Sequence, residues 1–343
     1  MLESTNNPNY TDDIFRSTVD IEHIIREFEP NSYLARVSLE YAVSNSKTEL
    51  LEYLIEKLSS SENEVSNEWA EIYLIDNLVC KNELDLTESI NKLTYIQCQS
   101  PEMSALRKIF QLYNYYDLKA FQMIEILSEL IKNEIISLED GYMKDSLQSR
   151  LDLAMQSVYL HLNQVEKSRT FGLNLKVNAS TPIMQAIAYK NLALSYLFDN
   201  YDEAISQFNE ALKVLEEIQN HDEIYHVQRL MNFVHTYWGH PEKTKWLKLD
   251  NLDEKQGYAY SLIKNNELEL AKKTLEETEF QLEDDFHYGY HFYYLGLITD
   301  EDKYFYQSVR YFSKSGDYFF RQLPLQQLQE KGVNTVLLSA LSV

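Results

Sequence analysis

Glycine occurs eight times in 343 residues, where average usage of about 7% would give roughly 24. The eight stand at positions 141, 172, 239, 257, 289, 296, 316 and 332, and no two are closer than seven residues. A phosphate-binding G-x-x-x-x-G-K loop, a G-x-G-x-x-G dinucleotide fingerprint and a G-x-S-x-G nucleophile elbow all need closer spacing, so none can be built. Six prolines leave too few turn formers for a many-stranded β protein, whereas helices joined by short polar turns need few. The expected class is all-α.

The remaining composition narrows the partners. Lys plus Arg number 31 against 54 Asp plus Glu, a formal net charge of −23, and no basic patch offsets it, so a phosphate backbone would be repelled. Cys80 and Cys98 form no C-x-x-C pair, which argues against a disulfide framework or a zinc knuckle and for a cytosolic protein. The first twenty residues are polar and acidic, and no uncharged apolar stretch reaches membrane-spanning length. Neither secretion nor membrane insertion is expected.

Apolar residues recur at helical spacing almost throughout, and the helices repeat as pairs. A tetratricopeptide (TPR) hairpin carries a small residue on its second helix, a bulky one four later and a small one seven later, where the two helices approach. Ala204, Phe208 and Ala211 fit this after Leu192, Ala193 and Tyr196. Ser308, Phe312 and Ser315 fit it after Leu295 and Gly296; Ala271, Leu275 and Thr278 form a third unit, and Ser168, Gly172 and Leu175 a weaker fourth. The small residues at 168, 204, 271 and 308 are separated by 36, 67 and 37 residues, so the middle gap matches two repeats, with a degenerate unit around Arg229 to Trp246. Ala120, Ile124 and Leu127 suggest that hairpins continue upstream.

Pro30, Pro101 and Pro182 each read as a first helical position. Ser59–Ser66 and Asn178–Thr181 are the clearest polar loops, both too short for an interdomain linker. The pattern therefore predicts a right-handed superhelix of TPR-like hairpins over residues 21–323, after a flexible N-terminus of residues 1–20. A capping helix over residues 324–343 would end in Val336, Leu337, Leu338 and Leu341. A terminal repeat should turn a polar face outward, so this apolar tail is covered either by a second copy of the chain, through Leu337, Leu338 and Leu341, or by packing on the last repeat.

No catalytic constellation is visible and no cofactor is expected. His287 and His291 share a helical face but lack the Glu of a zincin motif, so groove or surface histidines are the plainer reading and no metal site is expected. The aromatic runs Tyr113–Tyr116, Phe286–Tyr294 and Tyr304–Phe320 read first as core. The first helix of each TPR unit lines the concave surface, however, where aromatics give rigid contact area for an extended peptide. Counting from Gly296 puts Tyr290, Tyr293 and Tyr294 there; counting back from Ala271 puts Asp253, Gln256 and Tyr260; Lys190, Asn191 and Leu194 lie near that face one unit earlier. Amides pair with a peptide backbone and carboxylates favour a cationic side chain, so a short peptide bearing Arg or Lys fits such a groove.

Tyr293-Tyr294-Leu295-Gly296-Leu297-Ile298, Tyr306-Gln307-Ser308-Val309-Arg310-Tyr311-Phe312 and Ser315-Gly316-Asp317-Tyr318-Phe319-Phe320 with Leu323-Pro324-Leu325 resemble the arbitrium receptor (AimR) family. Weaker similarity runs through Leu192 to Ala204 and back to Arg36-Val37-Ser38-Leu39-Glu40-Tyr41-Ala42, covering residues 20 to 343. These are phage-encoded TPR proteins that sense a short secreted peptide and control the choice between lysis and lysogeny. The resemblance implies a cytoplasmic homodimer in the bacterial host and a concave site for an arginine-containing peptide of about six residues. By position, Asp317 resembles the carboxylate that receives the arginine, with Phe319 beside it, and Phe233 resembles a groove aromatic. Gln256 stands where the family often has a glutamate, with Glu254 as the nearby substitute. His161, Asn191 and Leu194 lie around the places of the family's inner-helix asparagines. Family members usually begin with a DNA-binding helix-turn-helix, for which the residues ahead of the first matching helix leave no room, so this chain alone is not expected to bind DNA. The chain is then either a piece of a longer receptor or a receptor acting through a protein partner; the alternative function is a TPR adaptor forming mixed dimers.

Overall fold

In the computed structural model the described residues are 14–16, 21–245, 249, 251–282, 284–334 and 336–338. Among them the chain is all-α, with no strand. It divides into two compact units, residues 1–155 with 171–187 and residues 156–170 with 188–343.

The first unit holds α1 (Glu22–Glu27), α2 (Tyr33–Ser44), α3 (Thr48–Ser59), α4 (Glu64–Cys80), α5 (Leu86–Tyr95), α6 (Pro101–Asp117) and α7 (Phe121–Ser137). Each helix packs on the next, and α2 also meets α4 and α4 meets α6. Alternating neighbour and next-but-one contacts are what stacked hairpins produce. The core includes one buried charge pair. The Glu40 carboxylate, fully enclosed, accepts from Arg150 Nε at 2.7 Å, the Tyr73 hydroxyl at 2.7 Å and Ser44 Oγ at 2.8 Å. Burial would raise its pKa, but the Arg150 charge and these bonds hold it below the usual carboxylate range.

Three helices contribute residues to both units: α8 (Tyr142–His161), α9 (Val165–Asn178) and α10 (Pro182–Ser195). The second unit continues with α11 (Tyr201–Glu217), α12 (His221–Tyr237), α13 (Leu252–Lys264), α14 (Leu268–Thr278), α15 (Asp285–Thr299), α16 (Asp302–Lys314) and α17 (Gln322–Glu330). The TPR spacing is realised in its packing, since Ala204, Phe208, Ala211, Ala271, Leu275, Thr278, Ser308 and Phe312 are all fully buried. The α15–α16 hairpin is the tightest. A Cβ at Gly296 would stand 2.6 Å from the Phe305 ring, and one at Gly289 2.8 Å from the Phe312 ring.

The scarcity of glycine has a counterpart in the turns. Ser46, Asn82, Lys119, Asn163, Gln219, Asn266 and Asp300 all adopt positive φ, between 55° and 63°; Gln219 joins α11 to α12, the end of one hairpin to the start of the next, and the others each lie between the two helices of a hairpin. Helix starts are capped by side chains, among them Ser32, Asp85, Asn200, Asn220, Asn251 and Asp284.

Several boundaries differ from the sequence-based expectation. Pro101 and Pro182 do open helices, but Pro30 lies in the turn before Ser32, whose hydroxyl caps α2. The degenerate repeat has its first helix in α12 and a 3₁₀ turn, Pro241–Lys243, where a second helix would begin; Trp246 lies outside the described residues. The last helix is not continuous from Pro324. It starts at Gln322, stops at Glu330, and Gly332 at φ 80° turns the chain before helical residues 336–338. Leu341 and most of residues 1–20 lie outside the described residues.

Candidate functional site

The second unit holds a small, partly open cavity of about 90 Å³ among α12, α13, α15 and the turn after α16. Arg229 and Leu230, and Phe233 one helical turn further on, face it from α12. Asp253, Gln256 and Gly257 face it from α13, and Phe286, Tyr290 and Tyr294, spaced by four, from α15, with Phe320 closing the far side. The walls are aromatic edges and faces. Phe233 lies 5.6 Å from Tyr290 and 5.8 Å from Phe320, both edge-on, while Tyr294 stacks on Tyr260 at 5.1 Å. Such ring pairs contribute about 0.5–1.5 kcal/mol each beyond area burial, which makes the wall stiff.

The polar groups collect at one end. Asp253 pairs with Arg229, whose other arm reaches His226 Nδ1 at 3.1 Å, and with His287 Nε2 at 3.1 Å. Burial would raise the Asp253 carboxyl, yet the hydrogen bond from His287 and the Arg229 charge outweigh it and keep the group ionised. Gln256 Nε2 donates to the His287 carbonyl at 3.1 Å. The Tyr290 hydroxyl is pushed far up by burial, then by Tyr294 and by the negative charges of Asp317 and Asp253. Both carboxylates therefore act on the same wall residue.

Five of the residues expected along the groove, Phe233, Asp253, Gln256, Tyr290 and Tyr294, meet at this cavity. Others stand behind it. Asp317, 2% exposed, accepts from the Phe320 amide through Oδ1 at 2.8 Å, and its Oδ2 lies 2.9 Å from His161 Nδ1. The His161 carbonyl accepts in turn from the Tyr318 and Phe319 amides. Phe319 is buried against Phe198 at 4.9 Å rather than standing open beside Asp317. Asn191 bonds Ser157 Oγ at 3.1 Å. Glu254 does not join Gln256: one residue on from Asp253, it points about 100° away and hydrogen-bonds Tyr225, so the acid at the cavity is Asp253. Leu337 is 46% exposed and Leu338 half-buried. Arg229, Leu230 and Gly257 were not anticipated, and Phe286 and Phe320 were named only as ends of aromatic runs. Arg229 and Phe286 each sit four residues before a recognised wall residue, a signal helical spacing carried; Phe320 lies in a turn, where helical register says nothing, and stood out only as the end of an aromatic run.

Among the described residues no group of three or more His, Cys, Asp or Glu is placed to hold a metal ion, and no helix is long and apolar enough to cross a membrane.

Stacked hairpins whose first helices converge on an aromatic cavity define a TPR-like helical scaffold. Residues 18–330 match the family described as AimR transcriptional regulator-like, and the chain belongs to that family. It is 28% identical over 319 residues to the AimR transcriptional regulator of Bacillus phage phi3T, covering 92% of this chain and 82% of that one. The AimR transcriptional regulator of Bacillus phage SPbeta is also 28% identical, over 90% of this chain and 79% of its own. The structure of a selenomethionine form of phAimR superposes with a TM-score of 0.81 at 27% identity, covering 94% of this chain and 83% of that one. A ligand-bound phAimR superposes at 0.78 and 27% identity, covering 91% and 92%. The family is one of regulators, not of enzymes.

Proposed function

We propose that the chain is an arbitrium-type receptor for a short, arginine-containing communication peptide, regulating phage lysis–lysogeny in the cytoplasm of the bacterial host. The observation that carries this reading is the aromatic cavity with carboxylates acting on its Tyr290 wall, in a chain similar over 91% of its length to a ligand-bound relative. A six-residue peptide extends to about 20 Å, far more than a cavity of about 90 Å³ can enclose. The cavity is therefore the anchor for one side chain, and the rest of the peptide lies along the first helices, where Gln256 and Asn191 supply amides.

The peptide's guanidinium is received between Asp253 and Asp317, the second of which gives up His161 as its partner. Exchanging internal partners for ligand shifts the positions of α12, α13 and α15, and that differential contact is what peptide binding can turn into a regulatory signal. The apolar end of the chain supports a homodimer, since Val336 and Leu337 are 75% and 46% exposed. Replacing Asp317 by Asn weakens an arginine-bearing peptide by about 1.5–3 kcal/mol, the value of a hydrogen bond to a charged group. Calorimetric titration reads this directly, and an unchanged affinity would remove Asp317 from the site.

A further inference from the structure

The polar chain at the cavity mouth is longer than holding Asp253 in place requires. Arg229 donates from Nη1 to Asp253 Oδ2 and from Nη2 to His226 Nδ1, so both arms of its fork are used. Asp253 Oδ1 meets His287 Nε2 at 3.1 Å, and His287 Nδ1 meets Asp284 Oδ1 at 3.0 Å. Three helices, α12, α13 and α15, are thereby tied together at the end of the cavity. Burial and the nearby Lys190 and Arg229 charges push His226 down to about 4, so it is neutral at pH 7 and free to accept from the guanidinium. Asp253 is the acid that lines the cavity, and both of its oxygens are engaged. A cationic side chain arriving there meets a carboxylate already neutralised by a group of its own chemistry.

Building on the receptor reading above, we infer that Arg229 is an internal substitute for the ligand's cation: it occupies Asp253 in the free protein, and a ligand guanidinium reaches Asp253 only by displacing it. Exchanging one charge-assisted bond for another is close to neutral, so Arg229 holds down the receptor's preference for a charged ligand. Without Arg229, Asp253 keeps only His287, and an incoming guanidinium then gains a bond that no internal group matches. The preference for a cation rises about tenfold to hundredfold.

The test uses the full chain and a panel of six-residue peptides with one arginine, each paired with a twin carrying citrulline, which has nearly the same shape and no charge. Calorimetry gives the arginine-to-citrulline affinity ratio for wild type and for Arg229→Gln. The expected result is a ratio at least ten times higher in the variant, with the citrulline peptides bound about as before. Arg229→Lys, which restores a cation beside Asp253, brings the ratio back toward wild type. If Arg229→Gln folds poorly, His226→Leu frees one arm of the guanidinium and raises the ratio in the same direction by a smaller factor. A wild type that binds while the variants show an unchanged or lower ratio overturns the role of Arg229 and leaves the receptor reading standing. A wild type that binds no peptide of the panel overturns both.

Discussion

Lys119 and Gln219 hold left-handed backbone conformations, at φ 59° and 55°, that cost an L-residue about 1–2 kcal/mol. Neither has the short side chain with which Asn or Asp relieves that strain locally. Glycine at either position removes the clash and returns part of the gain as unfolded-state entropy. Lys119→Gly and Gln219→Gly are each expected to stabilise by about 0.5–1 kcal/mol, measured by urea unfolding. His226 supplies a second residue-level prediction. Its folded pKa of about 4 lies below the ordinary value of 6.5, so the unfolded chain takes up a proton in that window and the folded chain does not. Stability from this group is therefore complete above about pH 6.5 and is lost as the pH falls toward 4. Asp76, raised to about 6 by burial, acts in the opposite sense over much of the same range, so the bare pH profile mixes the two. The clean readout is a difference: wild type loses stability relative to His226→Leu between pH 6.5 and 4, and parallel profiles would contradict the assignment.

At the scale of the element, the α15–α16 hairpin depends on two missing side chains. Gly296→Ala gains about 1 kcal/mol of helix propensity but drives a methyl into the Phe305 ring at 2.6 Å. Overpacking costs about 1–3 kcal/mol, and because an enclosed ring cannot retreat, a net loss of about 1–2 kcal/mol is expected in thermal unfolding. This close approach was legible in the sequence because a small residue at a fixed offset is the price of two helices touching. Pro101 and Pro182 were legible for a similar reason, since a residue without an amide hydrogen fits the first turn of a helix. Pro30 misled because the hydroxyl of Ser32 caps the helix two residues later. The end of α17 was missed because the apolar run through Leu338 hid Gly332, whose positive φ stops the helix. At the site, Asp253, Gln256, Tyr290 and Tyr294 followed from helical register, and Phe233 from the family resemblance alone. The partners of Asp317 and the inward turn of Phe319 did not, because they depend on contacts between α8 and a loop more than 150 residues away.

At the scale of the whole molecule, the acidic, glycine-poor chain is a stack of hairpins in each unit, with Val336 and Leu337 exposed near its apolar end. If a second copy covers that tail, Leu337→Glu lowers the dimer fraction in sedimentation while the melting temperature of the monomer is unchanged, whereas an unaltered dimer would move the contact elsewhere. The central claim is that this scaffold binds a peptide and anchors one of its side chains in the cavity. The most direct measurement is calorimetric titration of wild type and Phe233→Leu with the panel of six-residue arginine peptides. Saturable, arginine-dependent binding that the wall substitution weakens by tenfold or more is the predicted result; no binding by any peptide, or binding indifferent to Phe233, would contradict the account.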